Sequence, residues 1–401
     1  MMKRKKLLLL LVIYIAFISL GLPDSLLGSG WPAMHRALAV PLHYAGVLSM
    51  IVAAGTVVSS LFSERIINRY GIPYVTTASV LMTALALLGF SISSHFSYLC
   101  LLAIPLGLGA GCVDAALNNY VALHYAARHM NWLHCFWGVG ASMGPIIMAN
   151  SLAAGKSWST GYMTVGIIQI SLVLLLIVSI PLWIKDQNSS SQKGEETNNQ
   201  SYRKLISSRG LKEALIVFFC YCTIEATFGI WGASYLVKVR GFATDSGAAM
   251  TSLFYGGITV GRLISGFLAG MLNNKQLIWL GYILIFAGLL SINLPYDITL
   301  FVGFLLVGLG CAPVFPSLLH ETPRNFGEDN AQAIMGIQMA CAYIGITFMP
   351  LLFGQLSKQL DYSIFPWFLG GVLGIMGYGI FRLNRLTGNQ RILIPEANTK
   401  T

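Results

Sequence analysis

The chain has 401 residues, of which 55% are hydrophobic and only 10% are charged. Soluble globular domains carry about 25% charged residues, so this composition excludes an ordinary soluble protein and indicates a polytopic membrane protein. The formal net charge of +10 does not indicate nucleic-acid binding, because the basic residues lie mostly between apolar segments, where they mark topology.

Twelve apolar segments reach the length of about 20 residues that crosses a bilayer. We number them spans 1 to 12, and they cover residues 7–30, 43–63, 73–92, 97–122, 132–153, 161–184, 212–237, 246–271, 275–293, 298–319, 331–356 and 363–383. They predict an all-α polytopic membrane protein with twelve transmembrane helices.

The first segment follows a basic start, Lys3-Arg4-Lys5-Lys6, as a signal peptide would. No small-residue cleavage motif closes it, so we interpret it as an uncleaved span 1. With both termini placed in the cytoplasm, nineteen of the 25 Lys and Arg residues fall on the cytoplasmic side and five on the other. Basic residues accumulate in cytoplasmic loops, so we predict a multi-pass protein of the cell membrane with both termini cytoplasmic.

One polar stretch divides the chain. Residues 186–210 are rich in Ser, Asn, Lys and Glu and have no apolar periodicity, which is typical of a flexible linker. We therefore predict an N-terminal six-helix bundle over residues 1–185, a cytoplasmic linker over 186–210, a C-terminal six-helix bundle over 211–387 and a cytoplasmic tail over 388–401.

Internal repeats support this division. Asp24, Gly28 and Trp31 in span 1 correspond to Glu225, Gly229 and Trp231 in span 7, and Gly-Leu-Gly occurs in spans 4 and 10 at residues 107–109 and 308–310. Many transporters consist of two related halves with the substrate between them near the bilayer midplane. The repeats thus predict two pseudo-symmetric bundles.

Three carboxylates interrupt apolar spans: Asp24, Asp114 and Glu225. A charge at the centre of a spanning helix costs about 2.5–3.5 kcal/mol, so such residues usually face a cavity, a partner or a substrate. Structural alternatives remain open for each. Asp24 could cap a helix broken after Pro23, Asp114 could make an interhelical hydrogen bond, and Glu225 could pair with Arg262.

The loop after span 2 reads Ser63-Glu64-Arg65-Ile66-Ile67-Asn68-Arg69-Tyr70-Gly71. It resembles the Gly-x-x-x-Asp-Arg-x-Gly-Arg-Arg signature of the major facilitator superfamily, with Glu64 at the Asp position. The resemblance implies the major facilitator fold and a cytoplasmic gate or loop motif, here Glu64, Arg65, Arg69 and Gly71.

A narrower resemblance comes from GLPDSLLGSGWP, GLGAGCVDAALNNYVALHY, MNWLHCFWGVGASMGP, IEATFGIWGASYL and APVFPSLLHETP. These segments are similar to the fucose-galactose-glucose:proton symporter branch and to related sodium-dependent glucose carriers. In that branch a span 1 aspartate and a span 4 glutamate serve proton coupling and sugar binding, which map here onto Asp24 and Asp114. With Glu225, they form the expected proton-coupling set.

Further polar and aromatic residues complete a predicted substrate site. Asn118 lies one helical turn after Asp114 and shares its face, and indoles offer flat apolar faces to a sugar ring. The predicted substrate-binding residues are Asp24, Asp114, Asn118, Asn119, His134, Trp137, Glu225, Trp231 and Gln338.

The sequence contains no nucleophile-base constellation, no metal cluster and no Gly-rich Walker loop, so it predicts neither an enzyme nor a cofactor or metal site. We predict a monomeric secondary active transporter in the lipid bilayer that imports a neutral sugar with protons by alternating access. A proton-driven efflux antiporter of drugs or metabolites, a sodium-coupled sugar carrier and a non-transporting sensor remain alternatives.

Overall fold

The structure, a computed structural model, describes residues 2–125, 127–183, 208–269 and 271–388. The predicted tail and most of the predicted linker, over 184–207 and 389–401, lie outside the described residues. The described part is helical, without a β-strand, which confirms the all-α prediction.

Each predicted span is a helix in the described part of the chain. Span 1 comprises two helices, Met2–Asp24 and Leu26–Ala37; spans 2 to 12 are Ala45–Tyr70, Ile72–Ile92, Phe96–His124, Ala127–Ala153, Trp158–Trp183, Leu211–Val239, Thr244–Leu268, Asn274–Ile292, Asp297–Phe326, Glu328–Leu360 and Phe365–Gly388. We call the end of the bundle where Met2 and Gly388 lie the terminal end, and the opposite one the far end.

Span 1 was predicted as one segment, with a helix broken after Pro23 as an alternative, and the structure breaks it at Ser25. Pro23, one residue from the end of the first helix, has no backbone N–H to continue the hydrogen-bond ladder and its ring crowds the preceding turn. Asp24 is consequently the last residue of that helix, in the middle of the span.

Ten helices among the described residues are long and apolar enough to cross a membrane by these criteria alone. The helices of spans 5 and 8 are not among the ten, although they have 27 and 25 residues. They carry His134, Trp137 and Arg262 and pack against each other. Polar side chains in a membrane face the protein interior, and these two helices meet at the seam between the two halves of the bundle.

The helix pairings repeat in the two halves. Span 1 packs on span 5, span 2 on span 4 and span 3 on span 6; in the second half span 7 packs on span 11, span 8 on span 10 and span 9 on span 12. Across the seam, span 5 packs on span 8, span 2 on span 11 and the second helix of span 1 on span 7. This is the pseudo-symmetry that the internal repeats predict.

The repeated Gly-Leu-Gly motifs allow close helix packing. A Cβ atom at Gly107 would overlap the carbonyl oxygen of Val52 in span 2, and one at Gly308 would overlap that of Phe254 in span 8. Small residues let helix backbones approach in membranes. The motif thus fixes the same pairing, span 4 on span 2 and span 10 on span 8, in each half.

The far end of the seam is closed. A Cβ at Gly28 would overlap the carbonyl oxygen of Gly229, so spans 1 and 7 touch backbone to backbone. The repeated tryptophans lie nearby, both fully buried. Trp31 Nε1 donates to the Leu42 carbonyl at 2.5 Å, and Trp231 Nε1 donates to the Pro350 carbonyl at 2.9 Å.

Candidate functional site

A cavity of about 820 Å³ lies between the two halves. Its lining runs from Phe90 and Tyr162, near the far ends of spans 3 and 6, past Asp24 and Trp137 to Asn274, His320 and Arg324 at the terminal end. Ligand pockets in proteins usually measure about 300–1,000 Å³. Because the Gly28–Gly229 contact closes the seam at the far end, we interpret the cavity as open toward the terminal end.

Asp24 faces this cavity. Its side chain is solvent-accessible although it lies in the interior of the bundle. The indole Nε1 of Trp137 donates a hydrogen bond to Asp24 Oδ2 at 2.8 Å. The hydrogen bond joins span 1 to span 5 within the first half. It leaves Asp24 Oδ1 facing the cavity without a hydrogen-bond partner among the described residues.

The ring face of Trp137 contacts the second half of the bundle. The guanidinium carbon of Arg262 lies 5.0 Å from the centre of the indole ring, within the range of a cation–π contact. Arg262 also donates to the main-chain carbonyl of His134 at 3.5 Å. Trp137 is therefore in contact with a carboxylate of one half and a cation of the other.

Glu225 pairs with Arg262 and also faces the cavity, so both interpretations of this residue apply. Its Oε1 lies 4.0 Å from Arg262 Nη2, and the two side chains are 20% and 15% exposed. Its Oε2 accepts a hydrogen bond from the hydroxyl of Tyr221, one turn earlier in span 7. At 4.0 Å the ion pair is loose and leaves room for a ligand.

Asp114 lines the cavity from span 4. The Asn118 amide donates to Asp114 Oδ1 at 2.9 Å, which agrees with the shared face predicted for the two residues. Asp114 and Asp24 line the same cavity from spans 4 and 1. The first half therefore presents two carboxylates to one space.

His134 also lines the cavity, one turn before Trp137 on span 5. Its ring contacts Phe17 edge-on, with centroids 6.0 Å apart, and its ring nitrogens have no hydrogen-bond partner among the described residues. An imidazole in this position can accept or donate a hydrogen bond to a ligand.

Three predicted binding residues with described side chains do not line the cavity: Trp231, Gln338 and Asn118, the last of which contacts it only through Asp114. Trp231 has no exposed surface and belongs to the far-end seal. Gln338 is 1% exposed and its Oε1 accepts from the hydroxyl of Thr322 at 2.9 Å, which satisfies the amide oxygen between spans 10 and 11. A polar group satisfied by protein in this way has no need of a ligand.

The remaining predicted residues lie at the periphery or outside the described side chains. Arg65 and Arg69 are exposed at the terminal end of span 2, with the Arg69 guanidinium 5.4 Å from the ring centre of Tyr70. Gly71 joins spans 2 and 3 with φ +84°, a conformation that side chains disfavour. The side chains of Glu64 and Asn119 lie outside the described part of the structure.

Two further residues line the site without having been predicted as ligand contacts: Arg262 and Tyr255. Tyr255 contacts the Trp137 ring edge-on, with centroids 6.3 Å apart. The signal was present in the sequence, because Tyr255, Thr259 and Arg262 follow one another at steps of four and three residues and so share one face of span 8.

A family model described as Major Facilitator Superfamily matches residues 13–349. The chain is 23% identical to the bypass of stop codon protein 6 of Saccharomyces cerevisiae, over 89% of this chain and 82% of that protein. It is 22% identical to the glucose/mannose transporter GlcP of Bacillus subtilis, over 76% of this chain and 77% of that protein.

Solved structures with the same fold include a mutant of the nucleoside transporter NupG, with a TM-score of 0.72, 11% identity and coverage of 93% of this chain and 98% of that one. A bacterial homolog of the human lysosomal transporter Spinster, in an inward-facing and unoccupied conformation, gives a TM-score of 0.68 at 12% identity and covers 96% of each chain. At such identities the likeness establishes the fold alone.

Proposed function

The chain belongs to the major facilitator superfamily of membrane transporters, and on this premise we propose that it imports a neutral sugar together with protons. It is a transporter, not an enzyme. Its substrate class, its coupling ion and the direction of transport are the parts that we propose.

The observation that carries the sugar proposal is the composition of the cavity wall. Asp24 and Asp114 accept hydrogen bonds, Arg262 donates them, and Tyr255 can do both. Trp137 adds an aromatic surface. A sugar presents hydroxyl groups that donate and accept around a ring with apolar faces, so this mixture of groups suits it. The similarity to GlcP, described as a glucose/mannose transporter, supports the same class.

Two carboxylates in one cavity support proton coupling. Asp24 and Asp114 reach the same space, which opens toward the terminal end in this conformation. When the two halves rock and the opening changes sides, the water around these groups changes with it. Because burial penalises the charged form of a carboxyl group, such a change would load and unload protons in step with transport.

We further propose that the protein is a monomer in the cell membrane with both termini in the cytoplasm, so that the terminal end is the cytoplasmic one. In that orientation the described conformation is open to the inside. Import would then require a second conformation in which the Gly28–Gly229 contact opens and the terminal end closes.

A second candidate is proton-driven efflux of an organic cation. The cavity wall has three carboxylates, Asp24, Asp114 and Glu225, against the single charge of Arg262 in its deep part, and it has aromatic rings beside them. Cations are attracted by both kinds of group. The other alternative is that sugar transport is coupled to sodium instead of protons, because carboxylates also bind sodium.

The test uses purified protein in proteoliposomes with a pH-sensitive dye inside. D-Glucose, D-galactose, L-fucose and lipophilic cations are added in turn, and then sodium is included. Proton entry on sugar addition, absent in Asp114→Asn, is the expected result. Proton movement with the cations alone would favour efflux over sugar import. Sugar uptake that requires sodium would show that sodium, and not the proton, is the coupling ion.

A further inference from the structure

Trp137 lies in the cavity between the two halves and contacts charged side chains of both. Its N–H is bound by Asp24 of span 1, and its ring face is covered by Arg262 of span 8. Its edge also contacts Tyr255. One rigid indole thus contacts the carboxylate of the first half and the charged pair, Arg262 with Glu225, of the second half.

The hydrogen bond to Asp24 depends on the charge of that carboxyl group. A bond from an N–H to an ionised carboxylate is about twice as strong as one between neutral groups. When Asp24 is ionised, the indole N–H is therefore held and cannot serve a ligand. When Asp24 is protonated, the bond weakens and the N–H can turn to a hydroxyl group in the cavity.

We propose that Trp137 makes proton binding and substrate binding cooperative: protonation of Asp24 releases the indole N–H, which then donates to the substrate. This inference rests on the proposed function for the identity of the ligand, and on the geometry alone for the link between Asp24 and Trp137. By linkage, a substrate that holds the released indole favours the protonated form of Asp24 by the same factor, which is what symport requires.

Arg262 is a positioning residue in this scheme. Its guanidinium rests on the ring, and it is itself held by the His134 carbonyl and by Glu225. A planar guanidinium stacks on an aromatic face, whereas the ammonium group of lysine does not. Arg262 therefore limits how far the indole turns when Asp24 is protonated and the hydrogen bond between Asp24 and the indole weakens.

Other titratable groups face the same space, and the test has to account for them. The titratable and charged groups that line the cavity beside Asp24 and Arg262 are Asp114, His134, Tyr162, Tyr221, Cys222, Glu225, Tyr255, His320, Arg324 and Tyr343. Because Asp114 and His134 titrate as well, the pH response has to be assigned by substitution at Asp24.

The first experiment measures the Kd of D-glucose for the purified protein from mildly acidic to mildly alkaline pH. We expect the wild type to bind more tightly at acidic pH, by roughly 5- to 150-fold, the usual size of such a coupling. Trp137→Phe should show a pH dependence of the Kd that is reduced to the level of an Asp24→Asn variant, because Asp114 and His134 still titrate in both, and Arg262→Lys should show an intermediate dependence. The same pH dependence in Trp137→Phe as in the wild type would overturn the inference.

The second experiment needs no ligand, so it separates this inference from the sugar proposal. The fluorescence of Trp137 is obtained as the difference between wild type and Trp137→Phe across the same pH range. We expect it to change with pH, and to lose that change in an Asp24→Asn background. If no sugar binds but this signal is present, the substrate class is wrong and the link between Asp24 and Trp137 stands. A signal that ignores pH, or that persists in Asp24→Asn, refutes the link.

The matched control is Trp367→Phe. Trp367 is 74% exposed on span 12, away from the cavity, so its removal should leave both the pH dependence of the Kd and the Trp137 signal unchanged.

Discussion

The amide of Asn118 holds Asp114 by its nitrogen, at 2.9 Å, while its own oxygen is buried and has no partner among the described residues. A buried acceptor without a donor costs about 1–3 kcal/mol. The pair is thus satisfied on one side only.

The first prediction concerns this pair. Asn118→Ala should weaken substrate binding by about 1.5–3 kcal/mol, because Asp114, which lines the cavity, loses a charge-assisted donor. The KM for uptake measures this effect. Asn150→Ala, at an exposed position of span 5, is the control and should not change the KM; an unchanged KM in Asn118→Ala would mean that this hydrogen bond does not position Asp114.

The second prediction compares two glutamates of span 7, each of which pairs with an arginine of another span. Glu225→Gln should abolish uptake, because Glu225 faces the cavity and holds Arg262. Glu213→Gln, which breaks the pair with Arg382 at 3.5 Å near the end of the same helix, should retain uptake. Uptake assays on both variants decide the point.

Loss of Glu225 also leaves Arg262 without its counter-charge, so Glu225→Gln should lower the free energy of unfolding by about 1–3 kcal/mol. The double variant Glu225→Gln/Arg262→Gln removes both charges and should recover thermal stability without recovering uptake. Recovery of uptake in the double variant would mean that the pair only supports the fold.

The third prediction tests the far-end seal. Gly28→Leu places a side chain where the carbonyl of Gly229 lies, so it should shift the protein toward a conformation open at the far end. In a Cys222→Ser background, a cysteine at Ser49 in the cavity wall should then react several-fold faster with an impermeant thiol reagent added from that side. Gly370→Ala, with no atom near its Cβ position, is the control, and equal rates in all three proteins would contradict the seal.

The fourth prediction contrasts two tryptophans. Trp231→Phe leaves the Pro350 carbonyl without its indole donor in a fully buried position, and it should lower the free energy of unfolding by about 1–3 kcal/mol. Sugar affinity per folded molecule should not change. Thermal denaturation in detergent and ligand binding measure the two quantities; a weakened Kd with intact stability would return Trp231 to the binding site.

The twelve spans could be predicted because bilayer thickness directly sets the length of an apolar run. Pro23 indicated where span 1 could break, but not that it does, because a proline in a membrane helix either kinks it or ends it, depending on what its neighbours supply. Polar residues inside apolar runs indicated the region of the site, and Asp24, Asp114, His134 and Glu225 do line one cavity.

Individual side chains were harder to place, because their partners come from other spans. Gln338 is satisfied by Thr322 of span 10, a contact that no pattern within span 11 reveals. The repeated order of acid, glycine and tryptophan is present in both halves, and in both the acid faces the cavity and the tryptophan lies in the seal. A repeat therefore shows that two positions are equivalent without showing what they do.

The modest apolar character of the helices of spans 5 and 8 has a consequence for biogenesis. Helices insert from the translocon according to their own hydrophobicity, and neither of these two contains a stretch as apolar as those of the ten other helices, so we expect each to insert less readily by itself. Each finds its polar complement in the other, and span 8 is synthesised long after span 5. We expect span 5 to stay near the translocon or a chaperone until the second half emerges, and a chain truncated after span 6 to be recognised by quality-control proteases.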